Sequence, residues 1–199
     1  MRPFIWVLVF YLIIFFLLNK FFLDIRQYLL PKKSYYFIYT LLEYLAFTHL
    51  LCYNIRNKKF ILFAVFVSCA FIIFLVIFYS TSQIRIIDSL PIGIETLIIL
   101  VYIFYFFYEH FNQVTNQYIY DDPSFWFVIG ILVYLGGTFF LNILANNLND
   151  EHIHKYFYLS FLGDIIKNIM FAIAIVQYSR KPQNNINQKN NNLPFLDII

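Results

Sequence analysis

Six apolar runs, at residues 4–23, 35–54, 60–80, 91–111, 123–145 and 156–178, are separated by short polar stretches. Each is near the ~20 residues that carry a helix across the hydrocarbon core of a bilayer. None alternates apolar and polar positions with a period of two, and each is too long for a barrel strand, so the pattern predicts helices. The fourth and fifth runs open on Pro91 and Pro123, which suit a first helical turn. Only Arg56-Asn57-Lys58-Lys59 joins the second and third runs, which makes them antiparallel neighbours. The first run follows Met1-Arg2 as a signal peptide would, but it is long and lacks a small-x-small cleavage site, so it is expected to remain a span. The expected fold is all-α: a polytopic integral membrane protein, a bundle of about six transmembrane helices over residues 1–181. An Asn-rich tail over 182–199 is expected to be disordered.

The polar residues inside these runs are the informative ones, because a charge at mid-span costs about 2.5–3.5 kcal/mol on insertion scales. Tyr36, Thr40, Glu43, Phe47 and Asn54 fall on one face of the second span, which should point Glu43 into the bundle. Glu95, Tyr102 and Glu109 are heptad-spaced on the fourth, with Tyr105 between. Tyr134, Thr138 and Asn142 follow at i, i+4, i+8 on the fifth. The sixth span carries Asp164, Lys167 and Asn168 at i, i+3, i+4, so Asp164 can pair with Lys167 within the helix, and Glu43 is a second candidate partner for Lys167. Glu43, Glu95, Tyr102, Asp164, Lys167 and Asn168 are therefore candidates to line one polar cavity. The alternative is that the charge pair only stitches the bundle and fixes its register. Gly130 and Gly137, again heptad-spaced, are candidates for a seam where a neighbouring helix comes close.

Composition changes the picture mainly by exclusion. The chain is 61% apolar with 13% charged residues, about half the usual charged share of a soluble domain, so lipid has to cover much of its surface. The net charge of +3 is spread over short loops, which excludes nucleic acid as a partner. Seven cations fall on the side of the two termini and six on the other, a small excess that favours both termini in the cytoplasm. Aromatics reach 23%, but Phe and Tyr accompany abundant Ile, Asn and Lys, which fits A/T-rich codon usage rather than a ligand box. Cys52 and Cys69 differ in depth by roughly 10 Å and read as two buried apolar thiols without a bridge.

No phosphate-binding G-x-x-x-x-G-K-[ST], no nucleophile elbow G-x-S-x-G, no H-E-x-x-H and no C-x-x-C occurs. Asp150-Glu151-His152-x-His154 reads as a solvated loop with metal-capable side chains, and Glu109-His110 with Asp121-Asp122 as ordinary interfacial charge. No catalytic residue, metal or cofactor is nominated, and the chain is expected to be non-enzymatic.

The segments YTLLEYLAFTHLL (39–51), DDPSFWFVIGILVYLGGTFFLNIL (121–144) and IKNIMFAIAIV (166–176) resemble uncharacterised bacterial multi-span membrane modules. Those modules resemble in turn the membrane halves of sensor histidine kinases. The most specific part is Asp122, Pro123, Phe125, Trp126, Gly130, Tyr134, Gly137, Phe139 and Phe140; Glu43 and Asn168 match an acidic and an Asn position. The group has seven spans where this sequence shows six, and no kinase domain lies within these 199 residues. The resemblance implies a sensory or regulatory membrane module in signal transduction, in a bacterial inner membrane, passing its signal to a membrane kinase or another membrane protein; in the lipid bilayer the sequence leaves a homo-oligomer open. Two other readings stand beside it: a small proton- or cation-coupled transporter or channel, and a structural subunit of a membrane complex.

Overall fold

A computed structural model describes residues 9, 11–14, 32–81, 89–112, 122–144 and 150–180, without the side chains of 32, 89, 140–144, 150–160 and 180. Among the described residues there are helices and no strands. They are α1 (residues 11–14), α2 (Lys32–Asn54), α3 (Lys58–Thr81), α4 (Ser89–Phe111), α5 (Pro123–Leu144) and α6 (Asp150–Arg180). Most of the first apolar run, the tail and Asp121 lie outside the described residues.

Among the described residues three stretches are long and apolar enough to cross a membrane: Lys58–Thr81, Leu90–Phe111 and Phe161–Ser179. Pro123–Phe139 of α5 is a shorter apolar stretch. α2 falls short of that standard because Thr40, Glu43, Thr48 and His49 interrupt it. It is instead an inner helix, packed on α3, α4 and α5, with Thr40, Glu43, Tyr44, Phe47, Leu50 and Leu51 buried. α3 is its opposite. Only a narrow stripe of Ala64, Phe71, Leu75 and Tyr79 is buried, while Leu62, Phe66, Ile73 and Ile77 are exposed. An apolar helix surface of this kind belongs against lipid. Cys69, expected to be buried, is exposed there, because it lies off the stripe; both cysteines are free thiols.

α5 and α6 form the most extensive pairing. Lipid is as apolar as leucine, so such a pair is held by close packing rather than by the hydrophobic effect. A Cβ at Gly130 would sit 2.9 Å from Met170 Cβ and 3.2 Å from the Phe171 ring, closer than two carbons tolerate. Gly163 of α6 also faces α5, but with room to spare: a Cβ there would make only ordinary contact, 3.9 Å from the Tyr134 backbone. Gly137, expected to continue the seam, does not: it is exposed, and a Cβ there meets nothing within 4 Å. The reason is rotational. A heptad step turns a straight helix by about 20°, and Gly130 already stands at the edge of the buried arc.

Four helix ends are fastened together on one side. Asp122 caps α5 by accepting from the Ser124 N–H (3.3 Å) and pairs with His110 Nε2 at 3.2 Å. Ser124 Oγ donates to Asn54 Oδ1 at 2.8 Å, tying the start of α5 to the end of α2. Glu109 of α4 accepts the Arg56 N–H at 3.1 Å, and Asn57 Nδ2 donates to the Tyr105 hydroxyl at 2.6 Å. Asn57 also caps α3 through the Lys59 N–H at 3.0 Å. Glu109, His110 and Asp122 are thus tied into helix-end contacts. At the start of α6, Asp150 to His154 form its first turn rather than a loop, two acidic residues at a helix N-terminus being favourable there.

Candidate functional site

Two buried polar clusters occupy the interior. The first lies between α2, α3 and α4. Tyr44 Oη is 2.9 Å from Ser68 Oγ and 3.5 Å from the Tyr102 hydroxyl. Tyr102 Oη donates to the Ala64 carbonyl at 3.3 Å, and Ser68 Oγ to the same carbonyl at 2.7 Å. Each hydroxyl has partners, and the Tyr102 ring packs edge-on against Phe60 at 5.7 Å. Tyr102 therefore belongs to a satisfied hydroxyl network and not with Glu95, although the two are heptad-spaced on one helix. Seven residues separate them by about 10 Å along the axis, far enough for different neighbours.

The second cluster is acidic. Glu43 of α2 is 6% exposed, Glu95 of α4 2% and Lys167 of α6 5%. Lys167 Nζ donates to Asp164 Oδ1 at 2.8 Å and lies 3.7 Å from the centroid of the Tyr134 ring, a close cation–π contact; the Tyr11 ring of α1 is 6.0 Å away. The expected Glu43–Lys167 pair is mediated rather than direct. Tyr134 stands between them, its ring on the ammonium and its hydroxyl in hydrogen-bond contact with Glu43, which also senses the Lys167 and Asp164 charges. Glu95 in turn senses Glu43. Among the described residues Glu43 Oε1 and Glu95 Oε1 are buried without a hydrogen-bond partner.

This arrangement is short of positive charge. The cluster holds three carboxylates and one ammonium, the ammonium pairs with Asp164, and among the described residues no second basic side chain pairs with the other two. Ionised carboxylates buried without compensation are costly in any low-dielectric interior. Two orphan oxygens on neighbouring carboxylates therefore make a place suited to a proton or a small cation. Asp164 is the member open to the outside, its side chain 39% exposed.

Of the six expected cavity residues, four gather here: Glu43, Glu95, Asp164 and Lys167. Tyr102 sits in the other cluster. Asn168 is exposed, because it is 100° round the helix from Lys167 and the edge of the buried face runs between them. The inward face of α6 is Gly163, Lys167, Phe171 and Ala174. Tyr134 and Tyr11 are the residues that sequence reasoning missed. Tyr134 was visible as part of a stripe with Thr138, but nothing in one sequence shows which charge a tyrosine ring will cover. Asn142 and the side chains from Asp150 to His154 lie outside the described side chains. Among the described residues no three His, Cys, Asp or Glu side chains come together as a metal site.

Compared with protein-family models, with curated proteins and with solved structures, the chain finds no match.

Proposed function

We propose that this chain is a six-span module of a bacterial inner membrane, with both termini cytoplasmic, acting as a non-enzymatic sensor or regulator. A proton or small monovalent cation enters between Glu43 and Glu95 and biases the packing of α2, α4, α5 and α6. A membrane partner, a kinase or another membrane protein, reads the change. One observation supports this reading above others: two buried carboxylates from different helices, Glu43 and Glu95, each keep an orphan oxygen, while the nearest described ammonium, Lys167, is paired to Asp164. Uptake there acts on packing because Tyr134 links Glu43 to the Lys167–Asp164 pair on α6. A ligand shifts an equilibrium only through unequal affinity for its two states, and a charge-deficient site joined to several helices provides that inequality.

The test is hydrogen exchange of the full chain in lipid nanodiscs, read across pH and with added sodium or potassium. The expected result is a cation- or pH-dependent change in α2 and α6 protection that disappears in Glu43→Gln. Unchanged exchange in the wild type across all conditions defeats the proposal. Crosslinking with mass spectrometry in native membranes addresses the partner: a stoichiometric protein that is lost in Lys167→Leu supports the sensory role.

Coupled transport is a second reading, favoured by the way charge steps inward from half-exposed Asp164 through Lys167 to Glu43. It requires proton or cation flux in proteoliposomes that stops in Glu43→Gln. Silence across ions and pH gradients removes it while leaving the sensory reading intact.

A further inference from the structure

The outward face of α6 differs from those of α3 and α4. On α3 and α4 the exposed mid-span residues are apolar, as lipid requires. On α6 the exposed residues Phe161, Ile165, Asn168, Ala172 and Ser179 follow steps of four, three, four and seven, which is one stripe along the helix. Asn168 stands near the middle of the Phe161–Ser179 span, and its carboxamide has no hydrogen-bond partner among the described residues. A carboxamide facing hydrocarbon unpaired is costly, since lipid offers neither donor nor acceptor.

We infer that a second copy of this chain covers this stripe, forming a parallel homodimer through α6 with Asn168 opposite Asn168 on the twofold axis. Three features select a second copy. Two copies inserted with the same orientation place identical residues opposite one another, and an isologous interface needs a self-complementary group. A carboxamide is one, carrying both a donor and an acceptor, so two of them satisfy each other. Ala172, one turn on, keeps the crossing narrow enough for the pair to meet, while Phe161 and Ile165 flank it with apolar contact. A single polar residue within an apolar helix seam is also a known device for fixing register and oligomer number. Asp164, at the border of this stripe, does not oppose the pairing, since its own Lys167 compensates it at 2.8 Å. The inference stands independently of what occupies the Glu43–Glu95 site.

The experiment is oxidative crosslinking of the full chain in native membranes, in a Cys52→Ala, Cys69→Ala background. Single cysteines are introduced by Phe161→Cys, Asn168→Cys and Ala172→Cys, with Val76→Cys on the exposed face of α3 as the control. Crosslinked dimers at the three α6 positions and none at Val76 are expected. The wild-type chain in nanodiscs is expected to have the mass of a dimer. Asn168→Leu should raise the dissociation constant roughly tenfold, Asn168→Gln should retain the dimer, and Ala172→Leu should weaken it. A monomeric wild type, a crosslink that favours Val76, or crosslinks from position 168 to a different polypeptide would each overturn the inference.

Discussion

The hydroxyl cluster around Tyr102 and the acidic cluster around Lys167 are both buried, both link several helices, and differ in one respect. In the first, Tyr44, Ser68 and Tyr102 each find a partner. In the second, Glu43 and Glu95 each keep an oxygen that finds none. A satisfied buried network fixes one packing and asks for nothing more, whereas an unsatisfied one leaves a molecule with a reason to bind something. Burial alone does not mark a site; the unmet bond does.

Lys167→Leu should have the largest effect. It removes the one ammonium of the cluster among the described residues and leaves Asp164 uncompensated beside Glu43, at an expected cost of about 3–5 kcal/mol. Thermal melting in mild detergent should show a large drop; a midpoint near the wild type's would mean the cluster is not held by that charge. Glu95→Gln acts in the other direction. It lowers the charge deficit and should raise stability by as much as about 2.5 kcal/mol, while abolishing any cation response. A clear loss of stability would show that Glu95 has a partner it depends on. Tyr102→Phe sharpens the contrast from the other side: the loss of one satisfied hydroxyl should cost about 0.5–1.5 kcal/mol and leave the response untouched. Ser68→Ala should be smaller still, at most about 1 kcal/mol, since Tyr44 keeps its contact with Tyr102.

Much of this was legible in the sequence, and the rest was hidden for identifiable reasons. Helix positions followed from the apolar runs, because run length and the lack of alternation are properties of the chain itself. α2 differs from its run only by starting at Lys32, and α4 by starting at Ser89. The inward turn of Glu43 and Glu95 was readable from the stripes they share with other polar residues. Faces were readable only to within one helical step. Asp164, Lys167 and Asn168 fit one broad face by spacing, yet the boundary between protein and exterior runs through it, and its position depends on where α1 and α5 stand. The same holds for Gly130 and Gly137, which spacing makes equal and the drift of a heptad step at the edge of the buried arc makes unequal. The bridging role of Tyr134 needed three helices brought together, which no single-chain periodicity contains. Asn54 and Ser124 are 70 residues apart, and their bond was invisible for the same reason.

The fastening of the helix ends at Asn54, Arg56, Glu109 and Asp122 has a mechanical consequence. Glu43 lies 11 residues before Asn54 on α2, about 16 Å from that fastening, and Glu95 lies 14 before Glu109 on α4, about 21 Å away. Both acidic side chains thus sit well along helices whose hydrogen-bonded fastening lies at this end, while toward the other end α2 and α3 meet through the Phe37 and Tyr79 rings at 5.4 Å. Hydrogen bonds hold a fixed geometry where packed rings can slide. Small rearrangements among the acidic side chains would therefore leave the fastened surface quiet and act through a lever of about 16–21 Å on the rest of each helix.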